Sequence, residues 1–321
     1  MRDILLRPQF QSMKISPKIS LLQDLAERYE MNLLSLFSFA RWGQSCTTGV
    51  FEKDRRIWVF VPGDKVTLGW KEFVQGMGED NQIELREILQ ELEYPGGILD
   101  YLQSVMSPVR QVWVPPMLVG QKLEQTCWEP VSFWDVRLQK EHRDWLEQFW
   151  QYEQSNSGSQ LNLVGRARFD RIGSRWQAFL YRNTTYSQLR EGLEKQNYSL
   201  PTADEWSYLC GGGCRTLFPW GDGLDSSFHL HHFSSSQDRR PYDLEQPNFF
   251  GLSIAFDPYR REVVQADTLT TCGGDGGCNI CGGLGPVLGY LPCSPHWKPE
   301  IREEETLNGD FDFYRPVIRV D

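Results

Sequence analysis

The stretch LPTADEWSYLCGGG, residues 200–213, carries the signals of a short helix with both ends marked. Thr202 and Glu205 have the spacing of a capping box, in which the threonine side chain accepts from the third helical N–H and the glutamate returns the bond. Three apolar side chains then share one face: Trp206, Leu209 and Cys210. The glycines that follow are typical of a helix end. We therefore predict a capped helix in which Thr202, Glu205 and Trp206 are structural.

The chain before this helix shows further regular elements. Apolar periodicity and cap signals predict helices over 81–97, 142–154 and 184–197. The segments 109–118 and 175–183 look extended. Alternating apolar residues predict a hairpin over 51–70 that turns at Pro62-Gly63-Asp64. The hydrophobic stretch MNLLSLFSFA, residues 31–40, is predicted to be a helix that serves as core or contact surface.

The chain after this helix has a different character. Residues 211–310 are rich in Gly, Pro, Ser and Asp and contain only short apolar runs, which is typical of a loop-heavy fold. The segment FDFYRPVIRV (311–320) is strand-like, and Pro316 indicates an edge strand. We predict a loop-rich α+β fold with short antiparallel strands and a few helices. Residues 1–49 are predicted to form an N-terminal helical extension, and residues 50–321 the main domain.

Charge and hydropathy exclude some classes of function. The 321-residue chain has a formal net charge of −10 and no run of Lys or Arg, so nucleic acid is not an expected partner. No apolar stretch approaches the roughly 20 residues of a membrane helix, and the polar N-terminus does not predict a signal peptide. We expect a cytoplasmic protein that does not bind membranes and whose eight cysteines are reduced.

Several short motifs together resemble one protein family. LPTADEWSYLCGGG followed by FPWGD (218–222), QPNFFGL (246–252), GGD (273–275) and a closing YRPV strand resemble the ordered signatures of the formylglycine-generating-enzyme, or sulfatase-modifying-factor, family. VFVPGDKVTLGW (59–70) is similar to its opening hairpin. The resemblance spans about 50–321, although 71–180 matches little. It implies a C-type-lectin-like fold, which hosts enzymes and binding modules alike. Within FPWGD, Trp220 and Asp222 are predicted to be structural, in a turn with Trp220 buried.

The same resemblance implies an oxidase activity. Oxidases of this family use two cysteines to bind Cu(I) and convert a substrate cysteine to formylglycine, and thiolates suit that soft ion. The pattern places the first cysteine on Cys278, but its second position is Gly283, with Cys281 nearby. The acidic residue of the family's calcium site aligns with Glu262, where SIAFDPYRREVV replaces the usual motif. Copper at Cys278 and Cys281, and calcium at Glu262, are the cofactors that the resemblance implies.

A structural zinc site is a further alternative for the thiols and histidines. Zinc takes Cys and His ligands, and strong signatures contain two CxxC-type pairs. This chain has one CxxC and one CxxxC, with histidines in HLHHF (229–233). The candidate ligands are Cys210, Cys214, Cys272, Cys278, Cys281, Cys293 and His296.

The favoured reading is a catalytically divergent domain that binds or senses a protein, a peptide or another ligand. The glycines of CGGDGGCNICGG (272–283) permit tight turns that would shape a surface. Asp275 is predicted to hold this loop by accepting from backbone N–H groups. With Asp275, three aromatic residues complete the predicted ligand surface, since such residues dominate interface energies: Tyr259, Tyr290 and Trp297.

Overall fold

The computed structural model describes residues 2–155, 158–234 and 240–321. Its helices are α1 (Arg7–Ser12), α2 (Ile15–Arg28), α3 (Glu79–Glu91), α4 (Ile98–Val105), α5 (Arg143–Ser155), α6 (Tyr186–Glu194), α7 (Ala203–Gly211), α8 (Cys278–Cys281) and α9 (Gly285–Tyr290). The first eight strands are β1 (Asn32–Arg41), β2 (Gln44–Lys53), β3 (Arg56–Val61), β4 (Asp64–Leu68), β5 (Arg110–Val114), β6 (Met117–Gly120), β7 (Glu124–Gln125) and β8 (Trp128–Val131). The others are β9 (Gln160–Leu163), β10 (Ala167–Ile172), β11 (Arg175–Tyr181), β12 (Arg261–Val264), β13 (Thr270–Gly273), β14 (Glu300–Ile301), β15 (Asp312–Tyr314) and β16 (Val317–Arg319).

The described strands form mostly antiparallel sheets, which together with the helices confirms the α+β class. The first sheet has the order β1-β2-β3-β6-β16, and a second has the order β8-β11-β10-β9. A third, β14-β13-β12-β15-β7, contains a parallel pair between β12 and β15, and β4 pairs with β5 alone. Helix α2 packs on β1 and β2, and α5 packs over the second sheet through Phe149 and Phe169. The stretch SNSGSQ (155–160) has the composition of a linker, and its residues 156 and 157 lie outside the described residues.

The N-terminal region corrects two predictions. Residues 32–41 form strand β1 rather than a helix, because they pair along their length with β2. The predicted boundary between residues 49 and 50 falls inside β2, so part of the predicted helical extension belongs to the first sheet. Helices α1 and α2 are present as expected in this segment.

The predicted hairpin over 51–70 is also wrong in its pairing. Strand β3 turns back on β2 through Asp54 and Arg55, both with positive φ, and its other neighbour is β6. Strand β4 leaves Gly63 to pair with β5 instead. Gly63 has no room for a side chain, since an added Cβ would lie 2.6 Å from the carbonyl oxygen of Val114. The turn at Pro62-Gly63-Asp64 therefore moves the chain from one sheet to another.

Helix α7 confirms the prediction made for residues 200–213. The Thr202 side chain accepts from the backbone N–H of Glu205 at 3.2 Å, and the Glu205 carboxylate accepts from that of Thr202 at 2.8 Å. Gly212 ends the helix with φ of 57°. Trp206 is buried, and α7 packs against β4, β5 and β13. The helix thus lies in the main apolar core between two sheets.

The glycine-rich half after α7 is organised by buried polar side chains. Asp222 is 3% exposed and accepts from four backbone N–H groups: those of Val74, Gln75, Gly76 and Leu217. Asn248 is also buried; it donates to the carbonyl of Leu209 and accepts from the N–H of Phe250 and Leu252. These side chains supply backbone partners where the chain has little regular structure, as buried peptide groups require.

A buried ion pair joins the last strands to the rest of the molecule. Arg315 is fully buried and bonds the Glu262 carboxylate through two nitrogens, each at 3.2 Å. It also donates to the carbonyls of Gly120, Gln121 and Ser253. The break at Arg315-Pro316 sends β15 to the third sheet and β16 to the outer edge of the first. The predicted edge position near Pro316 is confirmed for β16.

Candidate functional site around Tyr259

The loop over 272–283 folds tightly because its glycines approach other chain segments. Gly274 donates to the carbonyl of Arg260, and an added Cβ at Gly274 would lie 2.2 Å from the carbonyl oxygen of Pro258. Gly277 has φ of 79°, and a Cβ there would lie 2.4 Å from the ring of Tyr259. A side chain at either position would displace the segment that carries Tyr259. The glycines thus place this ring directly against the loop.

Asp275 lies inside the loop and holds it together. Its carboxylate accepts from the backbone N–H of Asn279 at 3.0 Å, at the start of α8. Burial raises the pKa of Asp275, and the N–H groups of Asn279, Gly277 and Cys278 oppose that shift. The side chain therefore acts as the predicted loop anchor and turns inward rather than contributing a free carboxylate to a surface.

Cys278 and Cys281 stand at the two ends of α8, and both are exposed. The hydroxyl of Tyr259 and the sulfur of Cys281 are hydrogen-bonded at 3.1 Å. This bond is the main reason that the pKa of Tyr259 is raised, with partial burial and the charges of Cys281, Asp257 and Asp275 adding to it. The phenol thus keeps its proton and acts as a neutral hydrogen-bonding group.

Tyr259 is fixed by His232 and Asp257, and Asp257 is paired with Arg260. The His232 ring lies 4.6 Å from the Tyr259 ring, and its Nε2 is 3.1 Å from Asp257. Asp257 also accepts from the Tyr259 backbone N–H and pairs with Arg260 at 3.1 Å. Phe233, which follows His232 in the chain, is 44% exposed, and its ring lies 6.2 Å from that of Tyr290. We call the group of Tyr259, His232, Phe233, Cys278 and Cys281 the Tyr259 surface.

Two of the predicted ligand-surface aromatics lie elsewhere. Tyr290 is 1% exposed and belongs to the main core, so its prediction as a surface residue is wrong. Burial raises the pKa of Tyr290 above its ordinary value. Trp297 is half-buried against another apolar cluster and pairs with Met106 through a β-bridge. Both rings are used in packing, where a large aromatic side chain buries much apolar area.

The FPWGD segment has the predicted structural role, with one correction. Asp222 is the buried anchor described above. Trp220 is half-buried rather than buried; it stacks on Phe218 at 4.8 Å and contacts Trp42 at 5.4 Å. The partial exposure follows from its place beside an open groove of about 430 Å³ near Gly212 and Cys214.

The metal predictions fit the structure unequally. No group of three or more His, Cys, Asp or Glu side chains within the described ranges is arranged to hold a metal ion, which contradicts a zinc site there. Burial raises the pKa of Cys210, Cys272 and Cys293, so these thiols stay protonated. The Glu262 carboxylate is bound by Arg315, which does not fit calcium. Cys278 and Cys281 remain exposed soft donors that fit Cu(I).

A second concave region was missed by the sequence analysis. A groove of about 970 Å³ lies between the second sheet, α6 and β7. On its floor Arg56 binds Glu124 through two nitrogens at 2.6 and 3.0 Å, and the hydroxyl of Tyr314 donates to Glu124 at 2.6 Å. Arg168 lies between the rings of Trp128 and Phe179. These residues come from separate strands, so no local motif could reveal them.

Comparisons with known proteins give no identification. A scan against family profiles and a search of curated proteins each found no match to this chain. Across the described residues, no helix combines the length and apolar character that crossing a membrane requires.

Proposed function

We propose that the chain is a divergent relative of the formylglycine-generating enzymes with a C-type-lectin-like fold. The support is that each motif of the resemblance has a distinct structural task. Thr202 and Glu205 cap α7, Asp222 gathers four N–H groups, Asn248 bridges α7 to its own loop, and Arg315 pairs with Glu262. These motifs account for the frame of a domain and leave its chemistry open.

Within that frame, the chain acts as a cytoplasmic module that binds or senses a protein or peptide. The observation that carries this proposal is the placement of Tyr259. Its ring is held by His232 and Gly277, its hydroxyl by Cys281, and its backbone by Asp257. A rigid aromatic side chain with a polar tip gives contact area at low entropic cost, which suits it as an interface anchor. The exposed ring of Phe233, which follows His232 in the chain, would extend the contact.

Panning of a displayed random-peptide library tests this proposal. We expect peptides enriched on the wild-type protein to bind Tyr259→Ala at least about tenfold more weakly, as for other interface anchors. Tyr94→Ala is the matched control, because Tyr94 is half-buried like Tyr259 and its ring packs against one neighbouring ring, that of Tyr101. Circular dichroism would verify that both variants fold. Failure to enrich any peptide, or equal binding to Tyr259→Ala, would contradict the proposal.

The alternative function is a copper-dependent oxidase, and the pair of exposed thiols favours it. Cys278 and Cys281 lie three residues apart on one helical turn, on the same side of α8. Bound copper would supply the oxygen chemistry that converts a substrate cysteine to formylglycine. In this chain Cys278 and Cys281 would hold the ion, with the phenol of Tyr259 bonded to one of them.

Titration of the reduced protein with Cu(I) against a colorimetric chelator separates the two functions. The oxidase alternative requires one tight equivalent that is lost in Cys278→Ala and in Cys281→Ala but kept in Cys214→Ala. It also requires aldehyde formation on cysteine-containing peptides in air. Weak or non-stoichiometric binding would exclude the oxidase and leave the binding module.

A further inference from the structure

Strand β1 leaves a long edge of the first sheet open. It runs for ten residues, about 34 Å of backbone, and occupies the end of the order β1-β2-β3-β6-β16. Its inner edge pairs with β2, and no backbone group of the described residues pairs with its outer edge. A row of free N–H and C=O groups of this length is a template for another strand.

The usual protections of an edge strand are nearly absent from β1. Between Asn32 and Ala40 it contains no charged residue and no proline, and its one irregularity is a bulge near Leu34. Leu34 and Phe37 are 51% and 53% exposed. By contrast, β16 at the other edge is three residues long and follows Pro316, and the third sheet ends in the two-residue strands β7 and β14. Natural proteins blunt edges in these ways, so an unprotected β1 indicates pairing.

We propose that β1 pairs antiparallel with β1 of a second copy of this chain, about a two-fold axis at Phe37. This register sets Phe37 opposite its own copy and Ser35 opposite Phe39. The rings of Phe37 and Phe39 already lie 4.7 Å apart on one face, so the dimer would join four rings across the axis. Cross-strand aromatic pairs of this kind stabilise antiparallel sheets.

Charge favours a second copy as the occupant. In this register Arg41, the one charged residue of β1, faces Leu33 of the copy, so no like charges meet. Arg41 is already bound to the carbonyl of Asp243 and lies over the Trp42 ring, which keeps its charge off the new interface. Because Asn32–Ala40 of β1 carry no charge, the strand has no electrostatic feature that would favour a charged partner over a second copy. The result would be a ten-stranded sheet with β16 at both ends.

Sedimentation of the intact chain at micromolar concentration tests the pairing. We expect a dimer for the wild type and a monomer for Phe37→Lys, because a lysine on the axis would face another lysine. Ile301→Lys is the matched control, since Ile301 is 73% exposed on the edge strand β14, and it should stay dimeric. A monomeric wild type, or a dimeric Phe37→Lys variant that melts like the wild type, would overturn the proposal.

A cross-link tests the register without relying on a disruptive variant. In a Cys278→Ala/Cys281→Ala background, Phe37→Cys would place two thiols opposite each other. Exchange with oxidised glutathione would then give one intermolecular disulfide and two molecules of reduced glutathione. We expect covalent dimer at least about tenfold faster than with Ile301→Cys. Equal rates, or capture of a different protein's strand by a monomeric chain, would contradict self-pairing.

Discussion

One buried histidine, His296, makes the stability of the loop-rich half depend on pH. His296 is 2% exposed; its Nε2–H donates to the carbonyl of Thr216 at 3.0 Å, and the Cys214 sulfur lies 3.8 Å from the same nitrogen. Burial lowers the pKa of His296 to about 4, with nearby arginines contributing to the shift. The imidazole is therefore neutral in the folded protein over the physiological range.

This burial predicts a loss of stability in mild acid. In the unfolded chain a histidine binds its proton near pH 6.5, whereas folded His296 does so near pH 4. Stability contributed by the neutral ring is complete above pH 6.5 and falls as the pH drops toward 4, by roughly 3 kcal/mol in total. Urea unfolding at several pH values should show a shallower acid slope for His296→Gln. An unchanged slope would assign the effect to other groups.

Asp222 is predicted to be among the most sensitive positions in the chain. Asp222→Ala removes the acceptor of four backbone N–H groups, and hydrogen bonds to a charged group are worth about 1.5–3 kcal/mol each. We expect the free energy of unfolding to fall by about 3 kcal/mol or more. Asp225→Ala is the control, because Asp225 is exposed and its carboxylate accepts one backbone N–H of the described residues, that of Ser227, so its loss should be much smaller. Similar urea midpoints for both variants would contradict the role of Asp222.

The two capping boxes provide a matched test at the ends of helices. Thr202 caps α7 inside the core, whereas Thr185 and Gln188 form the same motif at the surface on α6. Either threonine changed to alanine should cost about 1 kcal/mol. Glu205→Ala should cost more, on the order of 2 kcal/mol, because Arg319 loses the carboxylate that binds it at 2.6 Å. Thermal melts in which Glu205→Ala has a midpoint equal to or above that of Thr202→Ala would contradict this assignment.

The starts of α6 and α7 could be predicted because their signals are local, whereas α3 spans Glu79–Glu91 and not the predicted 81–97. The capping boxes at Thr185 and Thr202 each join residues three apart, a spacing that the sequence alone displays. Strand β1 was mistaken for a helix, since Leu33, Leu36 and Phe37 also fit helical spacing. Its true state depends on the turn at Trp42-Gly43, where both residues have positive φ. A bulky aromatic is uncommon at such a position, so the hairpin lacks the usual sequence signal.

The candidate site was predictable only in part, for a related reason. The loop glycines, Asp275 and the thiols lie in one segment, and their proximity to each other follows from the sequence. The contacts of Tyr259 with His232 and Cys281 join separate segments and needed the fold. Burial of Tyr290 also depends on packing across the whole core, which periodicity does not reveal in an irregular region.

At the scale of the whole molecule, Arg315 joins the first sheet to the third through Gly120 and Glu262. Arg315→Met would leave the buried Glu262 carboxylate uncompensated, and we expect a loss of about 3–5 kcal/mol. Arg315→Met/Glu262→Leu should recover part of this loss but not all, since the carbonyls of Gly120, Gln121 and Ser253 still lack their donor. A double variant as unstable as the sum of the single variants in urea would show that the pair is not coupled.

The order of strands in the first sheet also dictates when it can assemble during synthesis. Strands β3 and β6 of this sheet are synthesised early. Strand β16, which pairs with the other side of β6, is synthesised some two hundred residues later. Until that point the ribosome-bound chain would expose the flank of β6 as well as β1. Pairing between strands so far apart in the sequence slows folding and prolongs the exposure of unpaired, aggregation-prone strand edges. We therefore expect nascent chains of this protein to depend on chaperones until the β16 segment emerges.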